Sequence, residues 1–137
     1  MLALEVGSMD TAVIKSGNTS ASLTFCERDA DYFSVLYESP AVKLEKRVWG
    51  YTDCDLLVNF FEFIAKEWRG WQGPQVWTSI EGELELTATS DNLGHVTLNI
   101  KLSEFDGPEV WSSSVNLGLD ASQTESVAKS VRAFFAN

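Results

Sequence analysis

Along most of this chain apolar and polar residues alternate, and in two places they recur instead every three to four positions. Thr11–Lys15 and Ala21–Glu27 are short β-like runs separated by the turn-forming Ser16-Gly17-Asn18. In the second run Ala21, Leu23 and Phe25 alternate with Ser22, Thr24 and Cys26, which predicts one buried and one wet face. Tyr32–Glu38 and Ala41–Trp49 follow, joined at Ser39-Pro40, where proline sets the φ of a turn. Val42, Leu44 and Val48 face one way; Lys43, Glu45, Arg47 and Trp49 face the other.

Between Asp55 and Arg69 the period changes. Leu57, Phe60, Phe61, Ile64 and Trp68 fall at helical spacing and form one apolar stripe. Thr52 or Asp53 can cap its start, Glu62 and Lys66 sit one turn apart on the wet side, and Gly70 suits the position just past the end. Alternation then returns. Over Ile80–Thr89 it puts Leu84, Leu86 and Ala88 inside and Glu81, Glu83 and Glu85 outside; over Val96–Leu102 the apolar positions are Val96, Leu98, Ile100 and Leu102. Asn92-Leu93-Gly94 fits a three-residue turn with Gly94 left-handed, which pairs Asp91 with His95, Leu86 with Ile100 and Glu85 with Lys101. Glu109–Leu119 is a further strand with Trp111, Val115, Leu117 and Leu119 inward. Ser122-Gln123-Thr124-Glu125 reads as a capping box ahead of a closing helix with the stripe Val127, Val131, Phe134 and Phe135. The expected fold class is α+β, a mainly antiparallel sheet of about seven strands (ββββ-α-βββ-α) with both helices packed on one face.

The chain has 137 residues, 45% of them apolar and 12% aromatic, enough for a core without staples. With no linker or repeat in view, residues 9–137 read as a single domain, and 1–8 as a non-native or flexible extension because Gly7-Ser8-Met9 resembles a junction. Twenty acidic residues against ten basic ones leave a net charge of −10. That balance argues against nucleic acid and against anionic membrane surfaces, and it favours a basic protein partner. Two cysteines, Cys26 and Cys54, and no signal-like N-terminus point to a reducing cytoplasm.

Candidate chemistry is sparse. His95 is the only imidazole, and Asp91 could orient it, yet no nucleophile elbow accompanies the pair; a histidine after a hairpin glycine serves first to tie the turn. Glu81, Glu83 and Glu85 recur ~6.6 Å apart on one strand face, which suits a solvated contact ladder better than a glycosidase cleft. No metal-ligand spacing and no phosphate-cradling glycine loop is present, so no cofactor is expected. Trp71 and Trp77 flank the connection after the first helix and read as a hydrophobic lock or the wall of a pocket. Trp49 shares the wet face with Lys43, Glu45 and Arg47, and Tyr51 continues it, so the two are candidate contact anchors unless Trp49 turns inward where the strand ends.

Taken together, Phe60-Phe61-Glu62, Trp68-Arg69-Gly70-Trp71, Trp77-Thr78-Ser79-Ile80-Glu81-Gly82-Glu83-Leu84 and Asp91-Asn92-Leu93-Gly94-His95-Val96-Thr97-Leu98 resemble a family of small bacterial proteins of unknown function. The resemblance spans about two-thirds of the chain and implies a bacterial, intracellular setting without an activity. The expectation is a non-enzymatic interaction domain, of the kind that neutralises a basic partner such as a toxin, contacting it through Trp49, Tyr51, Glu81, Glu83 and Glu85. The alternative is a small-molecule-binding or hydrolytic domain with a site near Trp71, Trp77, Asp91 and His95.

Overall fold

The computed structural model describes residues 10–51 and 54–136. Among them the chain forms β1 (Thr11–Lys15), β2 (Ser22–Asp29), β3 (Tyr32–Glu38), β4 (Lys43–Trp49), α1 (Cys54–Lys66), β5 (Gln75–Thr78), β6 (Leu84–Ser90), β7 (Val96–Glu104), β8 (Trp111–Leu119) and α2 (Thr124–Phe135). The class is α+β with antiparallel pairing throughout, as the alternation predicted. The strands number eight rather than about seven, and they divide into two four-stranded sheets, β1-β2-β3-β4 and β5-β6-β7-β8. The strand not foreseen is β5, whose four residues after Gly73-Pro74 are too few for alternation to show.

Both helices meet the same face of the first sheet. The Phe25 ring on β2 lies 6.2 Å from Phe61 of α1 and 6.0 Å from Phe135 of α2, and Phe33 on β3 lies 5.1 Å from Phe135. Apolar side chains of both sheets and both helices join one continuous core. Of the side chains that the pattern placed in it, Leu57, Phe60, Phe61, Ile64, Leu84, Leu86, Leu98, Ile100, Val131 and Phe134 are among the buried ones. Trp68 and Trp111 are not, being 51% and 39% exposed. The stripe was extended too far in the first case: α1 ends at Lys66, so Trp68 lies beyond its last turn, with the Arg69 guanidinium 4.9 Å from its ring. In the second, Trp111 opens β8 across from Glu104, at the opposite end of the strand from the buried Leu117 and Leu119.

The β6–β7 register is the one the turn predicted, with Leu86 opposite Ile100, Glu85 opposite Lys101, and the Asp91 N–H donating to the His95 carbonyl at 3.0 Å. Gly94 is left-handed at φ +81°. Gly70 does follow α1, its N–H on the Glu67 carbonyl at 2.8 Å. Three local expectations need correction. Glu62 pairs across to Arg132 of α2 rather than along α1 to Lys66. The turn before α2 is a 3₁₀ turn, Ala121–Gln123, closed by Gln123 Oε1 accepting from the Asp120 N–H at 2.9 Å, so capping begins at Asp120 and not at Ser122. The strand expected from Ile80 starts only at Leu84, because residues 79–83 form a tight turn between β5 and β6. The expected cap at Thr52 or Asp53 and the extension 1–8 lie outside the described residues.

Candidate functional site

One end of the molecule gathers most of its exposed aromatic rings. Antiparallel pairing sets Tyr32 at the start of β3 opposite Trp49 at the end of β4. The chain then turns sharply: the N–H groups of Gly50 and Tyr51 both donate to the Asp31 carbonyl, at 2.7 and 3.3 Å. That turn folds the Tyr51 ring back onto Trp49, stacked at 5.5 Å with 27° between planes. Trp49 is half-buried and Tyr51 is exposed, so the pair is a platform with one ring open to water.

The 79–83 turn abuts this platform. Glu83, expected on the wet face, is buried instead: Ser79 Oγ donates to its Oε1, and the Trp49 N–H lies 3.4 Å from its Oε2. The correction has a physical cause, since the turn breaks strand parity and rotates the side chain toward β4, where hydrogen bonds satisfy it. Glu83 is therefore a staple between β4 and the turn, while Glu81 stays exposed beside it. From the other side Glu104, at the end of β7, accepts from Lys46 Nζ at 2.8 Å and from the Asp106 N–H at 3.0 Å. The Lys46 hydrogen bond, followed by the Asp106 amide, holds its carboxyl below the usual glutamate range, so it is ionised at neutral pH. Next to it the Phe105 ring is 62% exposed and rests over Gly82.

Between them is a cavity of about 330 Å³, lined among others by Tyr32, Lys46, Glu81, Glu104, Phe105 and Asp106. Ile80 in the 79–83 turn, Val110 in the loop after β7 and Trp111 at the start of β8 are further exposed apolar side chains. Of the five residues expected to make contacts, Glu81 and the buried Glu83 line this cavity, and Trp49, which carries the Tyr51 ring, adjoins it opposite Tyr32. Glu85 lies apart, on the outer face of β6 between Thr78 and Lys101. The sequence reading missed Tyr32, Phe105, Glu104 and Asp106. A signal was present in Glu104-Phe105-Asp106-Gly107-Pro108, an aromatic set between carboxylates in a turn, where no strand or helix gives it a buried face.

The second expected group is not assembled into one cleft. Trp77 is buried opposite Leu86, and Trp71 packs edge-on against Phe63 at 5.5 Å. Both indole N–H groups are buried without a hydrogen-bond partner among the described residues. A shallow depression of about 220 Å³ brings Trp71 to Asp91, but neither Trp77 nor His95 lines it. Asp91 ties the turn: Oδ1 accepts the N–H groups of Leu93 and His95 at 2.8 and 2.9 Å, and Oδ2 lies 2.9 Å from His95 Nδ1. The other ring nitrogen, His95 Nε2, is 3.8 Å from Asp120, linking the turn to the start of α2.

The His95 amide above all, with the Leu93 amide and the His95 ring, lowers the Asp91 pKa below its ordinary value. Its stabilising contribution is thus fully present above the unfolded-state carboxylate pKa and is lost as pH falls through the depressed folded value. Asp91→Asn is therefore expected to lower the melting temperature at pH 7 and to approach the parent as pH falls through the depressed folded value of Asp91, which protonates the parent's carboxylate as well. A gap between the two that persists unchanged into acid would show that the charge of Asp91 contributes nothing.

Among the described residues no group of three or more His, Cys, Asp or Glu could hold a metal ion, and no helix is long and apolar enough to cross a membrane. The profile of one family, described as a family of unknown function (DUF6228), matches residues 14–137. No curated protein and no solved structure matches the chain.

Proposed function

The chain belongs to the DUF6228 family, which brings no assigned activity with it, and we propose that this member is a non-enzymatic interaction domain for a basic protein partner. The observation that carries the reading is the cavity where Tyr32 and Phe105 meet Glu81, Glu104 and Asp106, with the Trp49–Tyr51 stack adjoining it through the Tyr32 pairing and the Glu83 carboxylate. Aromatic rings flanked by carboxylates suit lysine and arginine side chains, which gain both ion pairing and contact with ring faces. The chain itself already uses the chemistry there, with Lys46 on Glu104 and the Arg47 guanidinium 6.0 Å from the Tyr32 ring.

Charge distribution supports the same reading. The two helices are together neutral, Asp55, Glu62 and Glu125 standing against Lys66, Lys129 and Arg132. Apart from Glu5 and Asp53, which lie outside the described residues, the excess of acidic residues therefore belongs to the strands and loops, which include the proposed contact end. A bacterial cytoplasm is the proposed setting; Cys26 and Cys54, which form no disulfide, suit it. Neutralisation of a toxin is the proposed biological role, by analogy with other small acidic bacterial domains.

The test is association with the product of a neighbouring gene when that product is basic, followed over a salt series. Exposed charges are screened beyond about 10 Å at 0.1 M salt, so the on-rate should fall as salt rises. Reversing Glu81 and Glu104 to Lys should slow association about tenfold and change dissociation less, while His95→Ala leaves binding intact. A turnover activity lost in His95→Ala with the fold preserved would overturn the reading in favour of the Trp71 and His95 region.

A further inference from the structure

Every sheet has two edges, and an unprotected edge is a template for another strand. Three of the four edges here carry a recognisable protection. β4 bears Lys43, Glu45, Lys46 and Arg47. β1 is packed against α2, and β5 is four residues long, preceded by Pro74 and packed against α1. β8 is different. It is nine residues long, Trp-Ser-Ser-Ser-Val-Asn-Leu-Gly-Leu, without a single charge in a chain of net charge −10. From Trp111 to Asn116 it is exposed or half-buried, and among the described residues no strand lies beyond it.

The direction of its free backbone groups follows from two bonds. The Gly118 carbonyl accepts from the Gly17 N–H at 2.8 Å, so Gly118 points away from β7. In an antiparallel strand successive residues alternate between the two sides, so Ser112, Ser114 and Asn116 also turn their N–H and C=O groups outward. The Val115 carbonyl, 3.5 Å from the Asn99 amide of β7, points the other way, as this alternation requires. Gly17 closes the far end of the edge; the open stretch is Trp111–Asn116. Its near end lies beside Glu104, the last residue of β7, and the loop that carries Phe105, Asp106, Glu109 and Val110.

We infer that β8 accepts an extended, lysine- or arginine-bearing segment of a partner protein as a ninth strand, antiparallel or parallel, paired to Ser112, Ser114 and Asn116. Backbone hydrogen bonds hold the segment along an uncharged edge, and its cations meet the carboxylates at the Trp111 end. A second copy of this chain is the poorer occupant, because pairing two β8 edges brings together two bodies of charge −10. The inference rests on the proposed function for the charge of the partner, and on the edge for its conformation.

The probe is a short synthetic peptide of alternating lysine and valine, presented to the full chain at low salt. Binding should slow amide exchange at Ser112, Ser114 and Asn116. N-methylation of alternate peptide residues, which leaves the protein untouched, should weaken it at least about tenfold. Ser114→Pro should do the same with little change in melting temperature, since proline is tolerated where an edge N–H faces solvent. If the parent peptide binds but neither change matters, side chains alone hold it: the strand inference fails and the proposed function stands. If the parent peptide does not bind at all, the strand inference fails, while the proposed function is decided by the association of the basic partner over the salt series. A concentration-dependent doubling of mass that Ser114→Pro abolishes would make a second copy the occupant and overturn the basic segment.

Discussion

Replacing Phe25 with Ala is expected to lower the unfolding free energy by about 4 kcal/mol, in the range found for phenylalanine truncation in cores. Phe25 is fully buried, and its ring touches Phe33 on the neighbouring strand, Phe61 on α1 and Phe135 on α2. Its removal would open a cavity at the point where one sheet and both helices meet. None of the three surrounding elements can close it without pulling away from the other two. Aromatic pairs in edge-to-face geometry add to the loss beyond buried area. Against a typical total of about 5–15 kcal/mol, the variant would be marginal or unfolded at 37 °C. Phe61→Ala should cost about 3–5 kcal/mol for the same reason. Chemical denaturation measures both, and a loss below about 1 kcal/mol for Phe25 would mean that the helices do not seat on it.

Gly94→Val carries the second large effect, a destabilisation of at least about 2 kcal/mol. Two separate causes contribute. At φ +81° any side chain is strained, a β-branched one most of all. Beyond that, a Cβ at this position would collide with the Trp68 carbonyl oxygen and press on Ala121 Cβ at 3.3 Å. The β6–β7 turn, the end of α1 and the start of α2 come together there, so the collision cannot be relieved by one loop moving. Gly73 separates the causes: it too has positive φ, at +77°, but nothing lies within 4 Å of its would-be Cβ. Gly73→Ala should therefore show the backbone strain alone, about 1 kcal/mol, and Gly94→Ala should exceed it. Equal losses at the two glycines would remove the close approach from the explanation.

The two predictions bear on function because both positions lie in the scaffold and not at the proposed contact end. Destabilised variants should lose binding only in proportion to their unfolded fraction. Changes at Glu81, Glu104 or Ser114 should alter binding while leaving the core intact.

What the sequence determined by itself was everything that depends on short-range pattern. Alternation marked seven of the strands and the buried faces of β2, β6 and β7, the helical stripes placed Phe60, Phe61, Ile64, Val131 and Phe134 inside, and Asn92-Leu93-Gly94 set the β6–β7 register. These are local matters, governed by side-chain period and turn geometry. Only the tertiary structure decided that the strands split into two sheets, that Trp68 and Trp111 stand in solvent, and that Glu83 is buried as a staple. For Glu83 the deciding contact is with a residue far away in the chain, Trp49, while Trp68 and Trp111 are exposed because α1 ends before the one and β8 begins at the other. The same holds for the candidate site. Trp49, Tyr51 and Glu81 were legible as an aromatic and a charge on wet positions, but their meeting with Tyr32, Phe105 and Glu104 was not. That meeting depends on how one sheet's end abuts the other's loops, for which no local period carries a signal.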